Sequence, residues 1–195
     1  MMWKKAALVL LVLLITVPLT LADAPTPDRA GRAEMRFLEG MMDHHQMALD
    51  MANDCLGKAQ SEAVTDLCSG IIEAQSAEIA QMQGWLLDWY NVRYEPVPMI
   101  AEPVSGGHSG HGSAPNTDPA MTMGMFAGLN RLTGTDYEIA WLEAMIDHHD
   151  DAIHMAERVL RRAEHAEIIG LANAIIRDQS AEIALMESLL QTLGA

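Results

Sequence analysis

Basic residues are scarce in this chain: 12 Lys and Arg stand against 27 Asp and Glu, a net charge of −15. Binding to nucleic acid through phosphates needs a surplus of Lys and Arg to displace condensed counterions, so nucleic acid is excluded as a partner. Cysteine is nearly absent. The two present are Cys55 and Cys68, and none follows the N-terminal apolar run where a lipoprotein anchor would attach. Long apolar runs are missing as well. The stretch Ala6 to Val17 falls short of the roughly 20 residues a membrane-spanning helix requires, so no stable membrane anchor is expected. No Ser/His/Asp or Cys/His nucleophile arrangement is evident, which argues against an enzyme without excluding one.

What the N-terminus does contain is Lys4 and Lys5, then the apolar run, then Thr20-Leu21-Ala22. This is the order of a secretory signal peptide, expected to be cleaved after Ala22, and it directs the protein to the periplasm or the exterior. Cleavage removes two lysines and no acid, taking the net charge to −17. Such a balance suits a soluble protein, or one that attracts cations. In an oxidising compartment the two cysteines are free to pair.

The mature chain is an internal duplication. At an offset of 104 residues, FLEGMMDHHQMALDMA (37–52) falls on WLEAMIDHHDDAIHMA (141–156), and IIEAQSAEIAQM (71–82) on IIRDQSAEIALM (175–186). One gap-free register gives 22 identities over positions 37–86, so each half is one supersecondary unit. Both blocks carry the helical period. Phe37, Met41, His44, His45, Ala48, Met51 and Ala52 share one face, opposite Glu39, Asp43, Gln46 and Asp50. Each half therefore reads as helix, short turn, helix: 27–58 with 61–90, and 136–163 with 166–193. Thr26-Pro27-Asp28 offers a first cap with proline in the first turn, and Thr135 with Glu138 has capping-box spacing. Two such hairpins hide their apolar faces against each other, giving an all-α four-helix bundle with a pseudo-two-fold relation. The organisation is then signal peptide 1–22, first hairpin 23–91, linker 92–134 and second hairpin 135–195. The linker is rich in Pro, Gly and Ser, reads as flexible over 95–118, and carries a short helix near 119–131.

Antiparallel geometry predicts which residues lie level. A first turn centred near residue 60 sets His45 beside Gln75, Met42 beside Glu78, and Cys55 close to Cys68. A Cys55–Cys68 disulfide follows, worth about 3 kcal/mol in the chain-entropy model; Val159 and Ala172 occupy the matching positions of the second hairpin. A second turn near 164 sets His148 beside Gln179 or Ser180 and Met145 beside Glu182. The interior would thus collect His44, His45, His148, His149, Gln75, Gln179, Glu78 and Glu182 at one level, flanked by Met41, Met145, Met82 and Met186.

Buried polar groups need partners, and two readings supply them. In the first, the layer holds a metal ion. Imidazole is a general ligand for copper and zinc, and Glu78 and Glu182 are ligands or orient the histidines, with Gln75 and Gln179 behind them. In the second, the layer is a structural hydrogen-bond network that fixes the register of the hairpins. The linker holds a further candidate, with His108 and His111 in GGHSGHG followed by Met121, Met123 and Met125. Thioethers suit Cu(I) and imidazoles Cu(II), though a Met triplet also serves as adaptable packing. Thirteen methionines remain after signal removal, which points to copper or silver over zinc.

The doubled pattern M-[MI]-D-H-H-x-x-A-[LI]-x-M-A followed by I-I-x-x-Q-S-A-E-I-A-x-M, over about 35–193, resembles the DUF305 family of exported bacterial proteins with ferritin-like bundles. Some of its members are described as periplasmic copper-binding proteins with a role in metal tolerance. By motif position the resemblance implies Met41, His44, His45, Met51, Met145, His148, His149 and Met155 as metal residues, and metal handling as the function; with the paired histidines and the Met content, copper binding for storage or tolerance is the leading expectation. The linker reads MTMGMF, without the proline of the Met-Pro-Gly-Met-Met-like sequence in many members. A ferritin-like fold also raises oxidoreductase chemistry. However, diiron bundles use Glu-x-x-His, and this chain has Gln-x-x-Glu at Gln75/Glu78 and Gln179/Glu182. Oligomeric state is not legible.

Overall fold

The structure, a computed structural model, describes residues 27–98 and 128–195. The expected signal peptide and most of the linker, with His108, His111, Met121, Met123 and Met125, lie outside the described residues. Four helices make up the fold: α1 (Arg29–Lys58), α2 (Glu62–Tyr90), α3 (Gly134–Leu160) and α4 (Ala166–Leu193). Among the described residues there is no strand, and no helix is long and apolar enough to cross a membrane. Of the stretch 119–131 expected to hold a short helix, only 128–131 is described: Gly128 and Leu129 are helical, and Leu129 is buried.

The helix ends differ from the sequence expectation in instructive ways. Asp28, not Thr26, caps α1: its Oδ1 accepts the Gly31 N–H at 2.8 Å. Pro27 therefore precedes the cap rather than sitting in the first turn. The helix α3 begins at Gly134 behind Thr133, with no side-chain cap, and ends at Leu160, three residues before the expected 163. The Thr135–Glu138 capping box does not form because Glu138 is used elsewhere. Its Oε1 accepts the backbone N–H groups of Gln60 and Ser61 at 2.7 and 2.6 Å, at the turn into α2. Its repeat counterpart Glu34 does the same for the other hairpin, accepting Glu164 N–H and His165 N–H at 2.7 and 2.9 Å. Each hairpin thus satisfies the orphan donors at the other's second-helix N-terminus.

Helices α1 and α3 run antiparallel and make the main inter-hairpin contact, with α2 and α4 each packed on its own partner. The bundle interior splits into two apolar clusters. One contains Met51, Cys55, Leu67, Ile71, Tyr137, Trp141, Met145 and Met186. The other contains Phe37, Met41, Met82, Leu86, Val159, Ile168 and Ile175. Cys55 and Cys68 are joined in a disulfide with Cα atoms 6.4 Å apart, stapling the first hairpin within the first cluster.

Candidate metal centre

Between the two clusters lies a polar layer. His44, His45, His148 and His149 are all buried, as are Gln75 and Gln179. Consecutive helical residues point about 100° apart, and this is what the paired histidines exploit. The first of each pair faces across to the other hairpin: the His44 and His148 rings lie 3.7 Å apart, centroid to centroid. At this crossing His148 Nε2–H donates to the His44 carbonyl at 2.9 Å. The second of each pair faces its own partner helix. His45 Nε2 meets Glu78 Oε2 at 2.6 Å, and His149 Nε2 meets Glu182 Oε2 at 2.7 Å.

The contacts differ from the level count, which set His45 beside Gln75 and Glu78 beside Met42. Helical side chains lean toward their own N-terminus. In an antiparallel pair they lean toward each other, so His45 and Glu78 converge although their backbones are about a turn apart. The two glutamates sit at the edge of the layer, with side chains 23% and 27% exposed. They anchor the imidazoles from the solvent side.

These contacts leave much of the layer unsatisfied. The Nδ1 atoms of His45, His148 and His149, both ring nitrogens of His44, both amide atoms of Gln75 and Oε1 of Gln179 are buried without a hydrogen-bond partner among the described residues. Burial and the neighbouring imidazoles of His45 and His149 push the His44 pKa down to about 3. Burial, followed by His44, His149 and His45, pushes His148 well below the ordinary value as well. Both rings are therefore neutral at physiological pH, the form that ligates metal. His45 and His149 hold a carboxylate on one nitrogen and leave the other toward the interior. That is the arrangement by which carboxylates orient metal-binding imidazoles. The donors are nevertheless spread through a layer: among the described residues no three His, Cys, Asp or Glu side chains are grouped to hold one ion.

The methionines implied by motif divide between the clusters. Met51 and Met145 are fully buried on one side of the layer, and Met41 is fully buried on the other. Met155 is only partly buried, against the cluster containing Met41. Met186 and Met82 join them, one on each side. Sequence reasoning overlooked Glu34 and Glu138 as braces. Their signal was available, since both carry Glu at the 104-residue offset, three residues before the matched block began.

The geometry defines a duplicated all-α hairpin bundle with a buried histidine layer at its pseudo-two-fold crossing. The chain belongs to the DUF305 family, a domain of unknown function whose model matches residues 34–190. No curated protein matches it. Solved structures do. CopM in its Cu(II)-bound form is 32% identical, covering 82% of this chain and 96% of CopM, with a TM-score of 0.61. CopM in its Cu(I)-bound form gives 30% identity, the same coverages and a TM-score of 0.62. A DUF305 protein from Streptomyces coelicolor is 26% identical, covering 84% of this chain and 93% of that one, with a TM-score of 0.65.

Proposed function

We propose that the protein is an exported copper-binding protein serving metal storage or tolerance, with its histidine layer as the core site. The observation that carries this reading is the set of four buried imidazoles with unpartnered nitrogens, two of them held from behind by carboxylates. Copper is favoured over harder ions by the thioethers on both sides of the layer, and by the likeness to CopM, solved with Cu(I) and Cu(II) bound. When bound, copper would take imidazole nitrogen from His44, His45, His148 and His149, with Met41, Met51, Met145 and Met155 as candidate sulfur donors. His108, His111, Met121, Met123 and Met125 form a second candidate set in the linker. The N-terminal signal-like sequence supports export.

Titration of the mature protein with Cu(I) and Cu(II) tests this. Changing His44, His45, His148 and His149 to Ala is expected to lower both stoichiometry and affinity. Unchanged binding would remove the core site, and a loss confined to linker variants would move the site there.

A second reading has its own observation. The contacts His45–Glu78, His149–Glu182 and His148–His44 carbonyl already form a partial network that could fix hairpin register without metal. It predicts that thorough chelation leaves the melting temperature unchanged, while single His→Ala variants still destabilise.

A further inference from the structure

The duplication supplies an internal control for a region that the histidine layer does not involve. At the end of the bundle where the start of α1 meets the end of α3 there is a pocket of about 470 Å³. It is lined by Ala33, Arg36, Phe37, Met155, Arg158, Val159 and Arg162. Three guanidiniums thus converge on one cleft in a chain whose net charge is −15. Among the described residues none of the three is paired with a carboxylate. Arg29 and Arg32 lie on the same stretch of α1, and Arg161 beside Arg162, so six of the chain's 12 basic residues occupy these two short segments.

The repeat-equivalent positions at the opposite end are Tyr137, Ala140, Trp141, Met51, Asp54, Cys55 and Lys58. There the space is filled. Tyr137 and Trp141 are fully buried. The Tyr137 hydroxyl donates to Asp54 at 2.9 Å, and the Trp141 indole donates to the Met51 carbonyl at 3.0 Å. Lys58 pairs with Asp54 at 2.8 Å. At the open end, Ala33 stands where Tyr137 would fill, Phe37 where Trp141 would, and Arg158 where Asp54 would pair.

Arginines at the C-terminal end of α3 complement the helix dipole, but those at the start of α1 oppose it. That helix opens with Arg29 and has no acid in its first turn. The basic cluster is thus not accounted for by helix electrostatics. Guanidinium is the side chain that binds carboxylate, phosphate or sulfonate groups bidentately, and Phe37, Met155 and Val159 add an apolar wall. A pocket of this size falls within the range that accepts small ligands.

We propose that the Arg36–Arg158–Arg162 cleft is a binding site for a small organic anion that carries two or more oxyanion groups on an apolar body. The site contains none of the histidine-layer residues, and of the candidate sulfur donors it includes only Met155.

Naphthalene-1,5-disulfonate serves as the probe, because it has the required chemistry and does not chelate metals. The mature protein is expected to bind it saturably, one per chain, with a shift of the Met155 methyl resonance, and more weakly as salt rises. Each of Arg36→Gln, Arg158→Gln and Arg162→Gln should weaken binding about tenfold or more, with the melting temperature unchanged because these side chains are exposed. Ala33→Tyr with Phe37→Trp, which imports the filling residues of the closed end, should abolish binding while leaving the helical circular dichroism as in the parent. Three results would each overturn the proposal: affinity unaffected by the arginine changes, equal affinity for uncharged 1-naphthalenemethanol, or full binding in the filled variant.

Discussion

The two ends of this bundle began as copies and have become opposites. One end is closed. Tyr137 and Trp141 fill it, Leu129 covers it, the Cys55–Cys68 disulfide staples it, and Lys58 reaches out to Asn130 at 2.7 Å. The other is open, unstapled and basic, with Val159 and Ala172 in place of the cysteines and three arginines around a cleft. Between them the histidine layer keeps the same residues in both halves. The difference teaches that the interior crossing, where His44 meets its own repeat counterpart His148, tolerates little change. The ends face solvent and can diverge separately.

That comparison can be broken or sharpened by experiment. The largest effect should come from acid, and it should strike both ends together because the layer is common to them. His44 and His148 have native pKa values below the ordinary 6.5. Below pH 6.5 the unfolded chain binds protons that the native protein refuses, so stability is full above that value and falls as pH drops. For His44 the loss continues toward pH 3. By pH 3.5 His44 alone should cost on the order of 4 kcal/mol in metal-free protein, and His148 adds loss in the same direction. Denaturant melts against pH measure this, and a parent-like slope in a His44→Gln/His148→Gln protein would refute it.

Next in size is the contrast between fillers. Trp141→Ala should cost about 4 kcal/mol and Phe37→Ala about 3. Trp141 also loses its indole hydrogen bond, whereas Phe37 borders an existing cleft. Urea unfolding decides the order, and equal losses would mean that the two ends are packed alike.

Removing the staple with Cys55→Ala and Cys68→Ala should cost about 3 kcal/mol. Hydrogen exchange should accelerate mainly in the α1–α2 turn, leaving the α3–α4 turn as before. Uniform acceleration would show that the ends are not separable.

The smallest contrast lies in the braces. Glu34 takes four donors: two backbone N–H groups, the His165 ring and the Tyr90 hydroxyl at 2.8 Å. Burial would raise its pKa, but these hydrogen bonds prevail and hold it below the usual carboxylate value. Its contribution is therefore present above that value and lost as pH falls through the lower native one. Glu138 takes two donors, so Glu34→Gln should cost about 2 kcal/mol and Glu138→Gln about 1. Thermal melts at neutral pH read the difference, and a larger loss for Glu138 would reverse the assignment.

Much of this was legible beforehand. The 104-residue self-match identifies two hairpins, the helical period places the histidines inward, and the antiparallel count pairs Cys55 with Cys68. Glu78 is legible as a partner of the histidines, but the count sets it level with Met42, about one turn from His45, because counting levels along a hairpin treats side chains as perpendicular to the helix. Glu138 was read as a local cap, because spacing within one helix cannot reveal a turn contributed by another. Arg36 lies more than a hundred residues from Arg158 and Arg162, and no period links it to them.

What the sequence by itself determined is whatever repeats: helix faces have a period of 3.6 residues and duplication has a fixed offset, so both can be read along one dimension. Only the tertiary structure decided which histidine nitrogen is held and which is free, which turn each buried glutamate serves, and which end is closed. Those depend on how two antiparallel helices cross and on where side chains lean at the crossing. That geometry arises only when the two hairpins are placed against each other.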